Sequence, residues 1–478
     1  MATGNIAPPL KLSTKIAYAF SGMPALIEQR GLSTFLLVFY NQVIGLQAGM
    51  VATVLLISSI CDAIFDPIVG QFSDDFRSRW GRRHPFMYLA IIPLSLSYVL
   101  LWAPPAGWSQ NALFFYLLGT LIIVRLSDSV FELPAAALLP ELTQDYNDRT
   151  RIISLRLMLG LLSGMVMTML AYRVFLREDV TGGGGVLARS GYFGYGLCSA
   201  LVIVAAILIA SLGTHRRIPF LARPQRRSGS LSEIFQTMRG TLGNPSLVAL
   251  LCMGVLMSTS NGAKSALDLY FGLYFWGLSQ SQLAMLVAAT FVGTVLGVLF
   301  VSPLSRRVGK RRAAAYMMIL GIVGNVGPVL GRLVGIMPAN GSSALFTILF
   351  VDNLLTFCVA TMTSALMSSM LSDVVEDSEV RTGRRSEGLV MAADNVVRKL
   401  VASVGIFVSG VLLTVINFPT KAARGAVPPE VVAKLAYGYL PITVFYLVAL
   451  CILSFYRINK RVHEANVETL RQRLADEA

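Results

Sequence analysis

The sequence has few charged residues, few histidines and no motif for ATP hydrolysis. Asp, Glu, Lys and Arg make up 14% of its 478 residues, whereas soluble domains average about 25%. Three separate histidines and five scattered cysteines show no metal-binding or disulfide spacing, which argues against a His-rich metal or haem site. Because the chain also lacks a GxxxxGK[ST] loop and a Ser/His/Asp set, neither ATP-driven transport nor an enzyme is indicated.

Long apolar runs dominate what is present. Hydrophobic residues make up 55% of the chain, and the mean hydropathy is +0.65. The runs reach roughly 20 residues, the length at which an α-helix crosses ~30 Å of hydrocarbon. The sequence therefore predicts an all-α polytopic membrane protein with twelve transmembrane helices. They lie at 13–43, 48–73, 86–104, 111–138, 151–175, 191–213, 245–275, 281–302, 313–332, 342–371, 387–417 and 435–457.

The net charge of +14 is concentrated in alternate connections between these spans. Even-numbered connections carry runs such as "RSRWGRRH" and "SRRVGKRR", and odd-numbered ones contain few Lys or Arg. Positive charge marks the cytoplasmic side of membrane helices, so both termini are predicted to be cytoplasmic in an inner (cytoplasmic) membrane. This distribution indicates a lipid bilayer as the partner and no nucleic acid.

The longest basic connection divides the spans into two sets of six. Each set has a basic, glycine-containing turn after its second span, "RSRWGRRHPF" in the first and "LSRRVGKRRAA" in the second. Parallel six-helix repeats of this kind describe the major facilitator superfamily architecture. The predicted division is an N-terminal six-helix bundle (1–213), a cytoplasmic central loop (214–243), a C-terminal six-helix bundle (244–458) and a cytoplasmic tail (459–478).

Two aspartates interrupt the second span. Asp62 and Asp66 are one helical turn apart and share a face, and each costs roughly 2.5–3.5 kcal/mol at the bilayer centre. We therefore expect them to face the bundle interior, where Pro67 frees a backbone carbonyl nearby. A negative, oxygen-rich site at a helix irregularity suits a small hard cation or a proton. The alternative is an ion pair with an intramembrane Arg or Lys that serves only structure.

The fourth span carries a second group of charges, Arg125, Asp128 and Glu132. Glu132 stands beside Pro134, and so it too lies next to a helix irregularity. Arg125 and Asp128 are predicted to form a local pair rather than to act directly.

The C-terminal spans carry charges of their own. Lys399, in the eleventh span, is a candidate movable cation that neutralises an unloaded acidic cluster. Asp394 and Arg398 of the same span have the four-residue spacing of a salt bridge, with a direct role as the alternative. Lys264 and Asp268 of the seventh span have the same spacing and are predicted to pair with each other.

Three long segments resemble one family of that superfamily, the glycoside–pentoside–hexuronide:cation symporters. "DAIFDPIVGQFSDDFRSRWGRRHPF" is similar to the family's D-x-x-x-D-P pattern and the basic turn that follows it. "ELPAAALLPELTQDYNDRTRIISLR" resembles the fourth-helix segment, and "SDVVEDSEVRTGRRSEGLVMAADNVVRKL" resembles the signature of helices ten and eleven. The likeness spans nearly the whole chain and implies the major facilitator fold.

The resemblance implies where the coupling cation binds. The family holds it on carboxylates that match Asp62, Asp66 and Glu132, and the lysine that matches Lys399 lies beside them. No cofactor is implied, and the ion is Na⁺ or H⁺.

The resemblance also implies a solute site. Arg156 matches the arginine of the sugar region, and Asn395, one turn before Lys399, matches a position near the cation site. Melibiose-type members hold galactosyl hydroxyls on an aspartate of the first helix, whereas this chain has Leu26 near that point, with Glu28 close by. The solute-contacting candidates are Arg156, Asn395, Glu28, Asp128 and, by stacking on a sugar ring, Tyr270.

The predicted function is symport of a sugar- or glycoside-like small molecule with Na⁺ or H⁺, by alternating access in a monomer. Gating is expected from cytoplasmic basic turns and acids at helix ends. The gating candidates are Arg79, Arg82, Arg83, Glu141, Arg149, Asp373, Glu376 and Arg381. One alternative is an uncoupled facilitator or a carrier of an amphipathic, lysolipid-like solute. Another, of a different class, is a non-transporting membrane receptor or assembly partner.

Overall fold

The computed structural model is built from helices. It describes residues 10–143, 145–178, 184–220, 244–382, 387–423, 425–456 and 458, with isolated positions between 462 and 472. Within these ranges the structure describes only the backbone of residues 146, 381–382, 387–393, 395 and 396.

Twelve helices follow one another in this part of the chain. They are α1 (12–44), α2 (Ala48–Asp75), α3 (His84–Leu101), α4 (Gln110–Leu142), α5 (Tyr146–Leu170), α6 (Ser190–His215), α7 (Pro245–Tyr270), α8 (Gln280–Val308), α9 (Lys310–Leu333), α10 (Ser343–Thr382), α11 (Glu387–Val415) and α12 (Pro429–Ile452). Among the described residues, α2–α12 are long and apolar enough to cross a membrane. The helix α1 is helical throughout but changes between α, 3-10 and π turns. The predicted all-α fold with twelve helices is confirmed.

The first helix of each set of six ends in a similar way. The end of α1 is a π-helical turn, Phe39–Ile44, and α7 continues into another, Phe271–Phe275. Gly45 and Gly277 then reverse the chain with φ of 94° and 63°, a region that glycine reaches without steric cost. Both turns are rich in aromatic residues, which are typical of the membrane–water interface.

The described chain divides into two compact units. The first unit contains Met1–Gln225 and Leu413–Ala426, and the second contains Arg226–Leu412 and Val427–Ala478. The domain boundaries drawn from the sequence stay a prediction.

Candidate functional site

The two faces of α2 differ in chemistry, and this orients its aspartates. Ile60, Ile64 and Ile68 form an exposed stripe. Asp62 and Asp66 are two positions away from these isoleucines, about 200° around the helix at 3.6 residues per turn. Asp62 is buried and Asp66 is half-buried. The apolar stripe suits lipid, and the acids face the interior of the first unit.

Ser129 of α4 joins the two aspartates into one site. Its Oγ lies 3.1 Å from Asp62 Oδ1 and 2.6 Å from Asp66 Oδ1. A hydroxyl has one proton to donate, so it serves only one of these carboxylates at a time. Three oxygens therefore meet at a point where a proton or a small cation adds favourable interactions. Ser129 is not among the residues predicted from the sequence, although it lies on α4 only three residues before Glu132.

Glu132 is held by a different partner. Arg156 Nη2 of α5 donates to Glu132 Oε1 at 2.5 Å, and Arg156 Nε donates to Ser21 Oγ of α1 at 3.0 Å. Among the described residues, no three His, Cys, Asp or Glu side chains are placed to hold a metal ion. The structure thus brings together Asp62 and Asp66, and it does not bring Glu132 into one cage with them.

The predicted local pair of Arg125 with Asp128 is not what forms. Arg125 Nη1 instead lies 3.4 Å from Glu28 Oε1 of α1, and Glu28 is buried. The long guanidinium side chain reaches across to the neighbouring helix, whereas the shorter aspartate stays on α4. Asp128 lies within electrostatic range of Glu28, Glu132 and Asp62 as well as Arg125.

The interior of the first unit therefore has an excess of acid, which we call the acidic cluster. Its carboxyl groups belong to Glu28, Asp62, Asp66, Asp128 and Glu132, and its guanidinium groups to Arg125 and Arg156. A buried charge without compensation is costly, so this cluster is stabilised by protons or cations.

In the second unit, α11 carries the predicted salt bridge. Arg398 Nε donates to Asp394 Oδ2 at 2.6 Å, which confirms the pairing at four-residue spacing. The neighbouring Lys399 has an exposed side chain, and its role near the acidic cluster stays a prediction. The side chain of Asn395 lies outside the described residues.

One further sequence prediction in α7 is wrong. Lys264 Nζ donates to Asn325 Oδ1 of α9 at 2.5 Å and forms no salt bridge with Asp268 in the described structure. Tyr270 is fully buried, with its ring 6.2 Å from that of Tyr274. A role for Tyr270 in stacking on a sugar ring stays a prediction.

The gating candidates of the first unit gather around Glu141, at the end of α4. Arg82 Nη2 and Arg83 Nε lie 2.7 and 3.2 Å from Glu141 Oε1. Arg83 also reaches Asp74 at 2.5 Å and Ser73 Oγ at 2.9 Å. Among described partners, Arg79 has no ion pair and Arg149 donates to the carbonyl of Thr143.

A matching contact lies at the same end of the second unit. Lys310 Nζ is 2.7 and 2.8 Å from the two carboxylate oxygens of buried Asp373 on α10. Tyr456, beyond the last span, donates to Asp373 at 3.4 Å, and burial together with that carboxylate raises the pKa of Tyr456. Glu376 is half-buried on α10, and the side chain of Arg381 lies outside the described residues. Lys310 itself is not among the gating residues predicted from the sequence.

A family model described as "MFS/sugar transport protein" matches residues 17–460. The chain belongs to this family. Its members are transporters, so the prediction of a transporter rather than an enzyme is confirmed, and the chain is a multi-pass membrane protein.

Relatives of this MFS sugar-transport chain are similar along nearly their whole length. The isoprimeverose transporter of Lactiplantibacillus pentosus is 24% identical over 449 residues, covering 94% of this chain and 89% of the relative. The putative glycoside/cation symporter YagG of Escherichia coli is 26% identical over 466 residues, covering 97% and 95%. A glucuronide carrier protein homolog of Escherichia coli is 25% identical, covering 91% and 90%.

Solved structures of other transporters share the fold. A bacterial homolog of the human lysosomal transporter Spinster, inward-facing and unoccupied, superposes with a TM-score of 0.64 at 13% identity, covering 96% of this chain and 97% of that one. The nucleoside transporter NupG gives 0.63 at 10% identity, covering 94% and 100%. At these identities the likeness extends to the fold alone.

Proposed function

We propose that the chain is a cation-coupled symporter of a sugar- or glycoside-like solute that works by alternating access. The observation that carries this is the meeting of Asp62, Asp66 and Ser129 inside the acidic cluster. Several carboxyl groups in a membrane interior are costly until a cation or proton neutralises them. The names of the relatives, which include a glycoside/cation symporter, support the same function.

The roles divide between an ion site and a solute site. Na⁺ or H⁺ binds at Asp62 and Asp66, and Lys399 takes the place of the ion when the site is empty. Arg156, with Glu132 as its carboxylate partner, binds solute hydroxyls together with Glu28, Asp128 and Asn395. By linkage, ion and solute each raise the affinity for the other by the same factor. The transporter works as a monomer in the inner membrane with both termini cytoplasmic.

Uptake into proteoliposomes tests this proposal. Isoprimeverose, a glucuronide and lactose serve as probes, each with an inward Na⁺ gradient, an inward H⁺ gradient, or neither. We expect one of the gradients to drive accumulation of a probe, because in a symporter the downhill movement of the coupled ion carries the solute uphill. Asp62→Asn and Asp66→Asn should abolish accumulation, whereas Asp75→Asn, an exposed position on the same helix, should retain it.

Two outcomes contradict the proposal in different ways. Equilibration of a probe at the same rate with and without gradients indicates an uncoupled facilitator. Accumulation that survives both asparagine substitutions shows that the ion site lies elsewhere.

A further inference from the structure

A second set of charges lies inside the second unit. Lys264 and Asp268 lie on α7, Asn325 on α9 and Asp352 on α10, all within helices apolar enough to cross a membrane. Both aspartates are within electrostatic range of Lys264. Asp352 Oδ1 also packs near Gly324, next to Asn325, which accepts the hydrogen bond from Lys264. Three helices thus bring one ammonium and two carboxyl groups to the same place.

These charges are near one another without forming closed ion pairs. Lys264 donates to the neutral amide of Asn325, and in the described structure it has no salt bridge with Asp268 or Asp352. The Asp394–Arg398 pair at 2.6 Å shows the closed alternative in the same unit. With Lys264 protonated and both aspartates ionised, the group carries one excess negative charge, and one proton makes it neutral.

A cavity lined by both apolar and polar side chains adjoins this group. Its volume is about 70 Å³, and its lining includes Asn261, Asn325, Thr356, Arg398 and Tyr446. A water molecule needs about 10–15 Å³ of such space and two to four polar partners, so the cavity accommodates several waters.

Thr356 connects the cavity to Asp352. It lies one helical turn after Asp352 on α10, is 7% exposed, and its hydroxyl has no hydrogen-bond partner among the described residues. A buried hydroxyl left unpaired costs roughly 1–3 kcal/mol, which a ligand or water in the cavity would recover. Thr356 therefore places one hydrogen-bonding group between the cavity and Asp352.

We propose that Asp352, together with Lys264 and Asp268, forms a proton-binding site in the second unit, separate from the acidic cluster of the first. A proton delivered by water converts the Asp352 carboxylate to a carboxylic acid and leaves hydroxide or a buffer base behind. The proton is the ligand because the group carries one excess negative charge, which a single proton neutralises. Asp352 takes the proton because its Oδ1 and the Thr356 hydroxyl lie over the same glycine, Gly324, and Thr356 lines the cavity.

The groups facing Asp352 from its neighbours are few. They are Lys264 and Asp268 of α7 and the phenol of Tyr439 on α12. The helix α8, which packs extensively on α10, has no ionisable residue from Gln280 to Ser305, and α9 has none from Met317 to Gly331. Arg398 of α11, paired with Asp394, lines the adjoining cavity. The response of the site to pH is therefore set by Lys264, the two aspartates and this pair.

Infrared difference spectroscopy of the full chain in lipid vesicles, without any solute, tests the site. Spectra recorded between about pH 8 and about pH 5, above the usual aspartate range near 3.9, should show a carboxylic acid band that appears as the pH falls. Asp352→Asn should remove this band, and Asp75→Asn should leave it unchanged. Lys264→Gln should move its appearance to higher pH, because the nearest positive charge is lost. Unfolding temperatures of all variants establish that they are folded.

The contradicting results are specific. Spectra of Asp352→Asn that match the unsubstituted protein overturn the proposal, as does loss of the band in Asp268→Asn alone. A role for this proton in coupling rests on the symport proposed above. The infrared band reports proton binding alone and does not depend on symport. If a gradient drives uptake but the infrared band is absent, the proton site is refuted and the symport proposal stands. If the band is present but no gradient drives uptake, the symport is refuted and the proton site stands.

Discussion

Single side chains decide how the charges in this membrane protein are neutralised. Ser129 draws Asp62 and Asp66 together, Arg125 reaches past Asp128 to Glu28, and Lys264 binds an amide on another helix. Spacing along a helix brings two residues within reach, but the length of each side chain and its neighbours on other helices determine which contact forms. This is why two of three local pairs expected from spacing are absent among the described residues.

Ser129 provides the test at this scale. Ser129→Ala should raise the Na⁺ or H⁺ concentration needed for half-maximal probe uptake by roughly 10-fold or more, since hydrogen bonds to charged groups contribute about 1.5–3 kcal/mol. The measurement is the ion concentration that gives half-maximal uptake. Ser129→Thr keeps the hydroxyl and should stay within a few-fold of the unsubstituted protein. Equal values for the alanine and threonine variants would show that the hydroxyl has no part in ion binding.

Close helix crossings hold the elements in the positions that these contacts need. A Cβ on Gly22 of α1 would overlap the backbone carbonyl of Arg156, and one on Gly160 of α5 would lie 2.6 Å from the Gly22 carbonyl. In the second unit, Gly262 of α7 and Gly405 of α11 make equally close crossings. Small residues at membrane helix interfaces allow backbones to approach in this way. Here the approach of α1 to α5 also lets Arg156 reach both Ser21 and Glu132.

A pair of identical substitutions tests the role of this crossing. Gly22→Ala should destabilise the protein by about 1–3 kcal/mol, as overpacking does, because the new methyl group meets a backbone atom that cannot rotate away. Gly119→Ala on α4, with nothing within 4 Å of the added Cβ, should be neutral or slightly stabilising, because alanine favours helix by up to about 1 kcal/mol over glycine. Thermal unfolding in detergent measures both. The crossing would be unimportant if the two variants unfolded at the same temperature.

At the scale of the whole molecule, each of the two units has the same kind of ion pair at a basic turn, but the number of groups that contact the acid differs. Each has a glycine with positive φ, Gly81 at 75° and Gly309 at 83°, then a basic residue that pairs with an acid on the fourth helix of the set. Glu141 receives two arginines, whereas Asp373 receives one lysine and a tyrosine hydroxyl. The repeat thus conserves the placement of the contact and varies its chemistry.

This asymmetry predicts unequal effects of equivalent substitutions. Glu141→Gln should lower stability more than Asp373→Asn, because it leaves Arg83, whose side chain is 7% exposed, with weaker compensation. The partner of Asp373, Lys310, is 33% exposed and can be solvated instead. Because Asp74 still pairs with Arg83, the expected loss for Glu141→Gln is below the roughly 3–5 kcal/mol of a buried pair that is broken completely. For Asp373→Asn the expected loss is about 1 kcal/mol or less. Thermal unfolding of both variants is the measurement, and the reverse order would contradict the argument.

The sequence by itself determined the all-α class, the twelve spans and the repeat of two six-helix sets. This was possible because each span is apolar along its own length and basic residues recur in alternate connections. It also singled out Asp62 and Asp66, since an acid in an apolar run is visible without any structure. The tertiary structure alone decided that Ser129 joins them, that Arg156 holds Glu132, and that Tyr270 is enclosed. Those contacts join residues distant in the chain, and they depend on how closely and at what rotation the helices pack. Local sequence patterns do not encode either quantity.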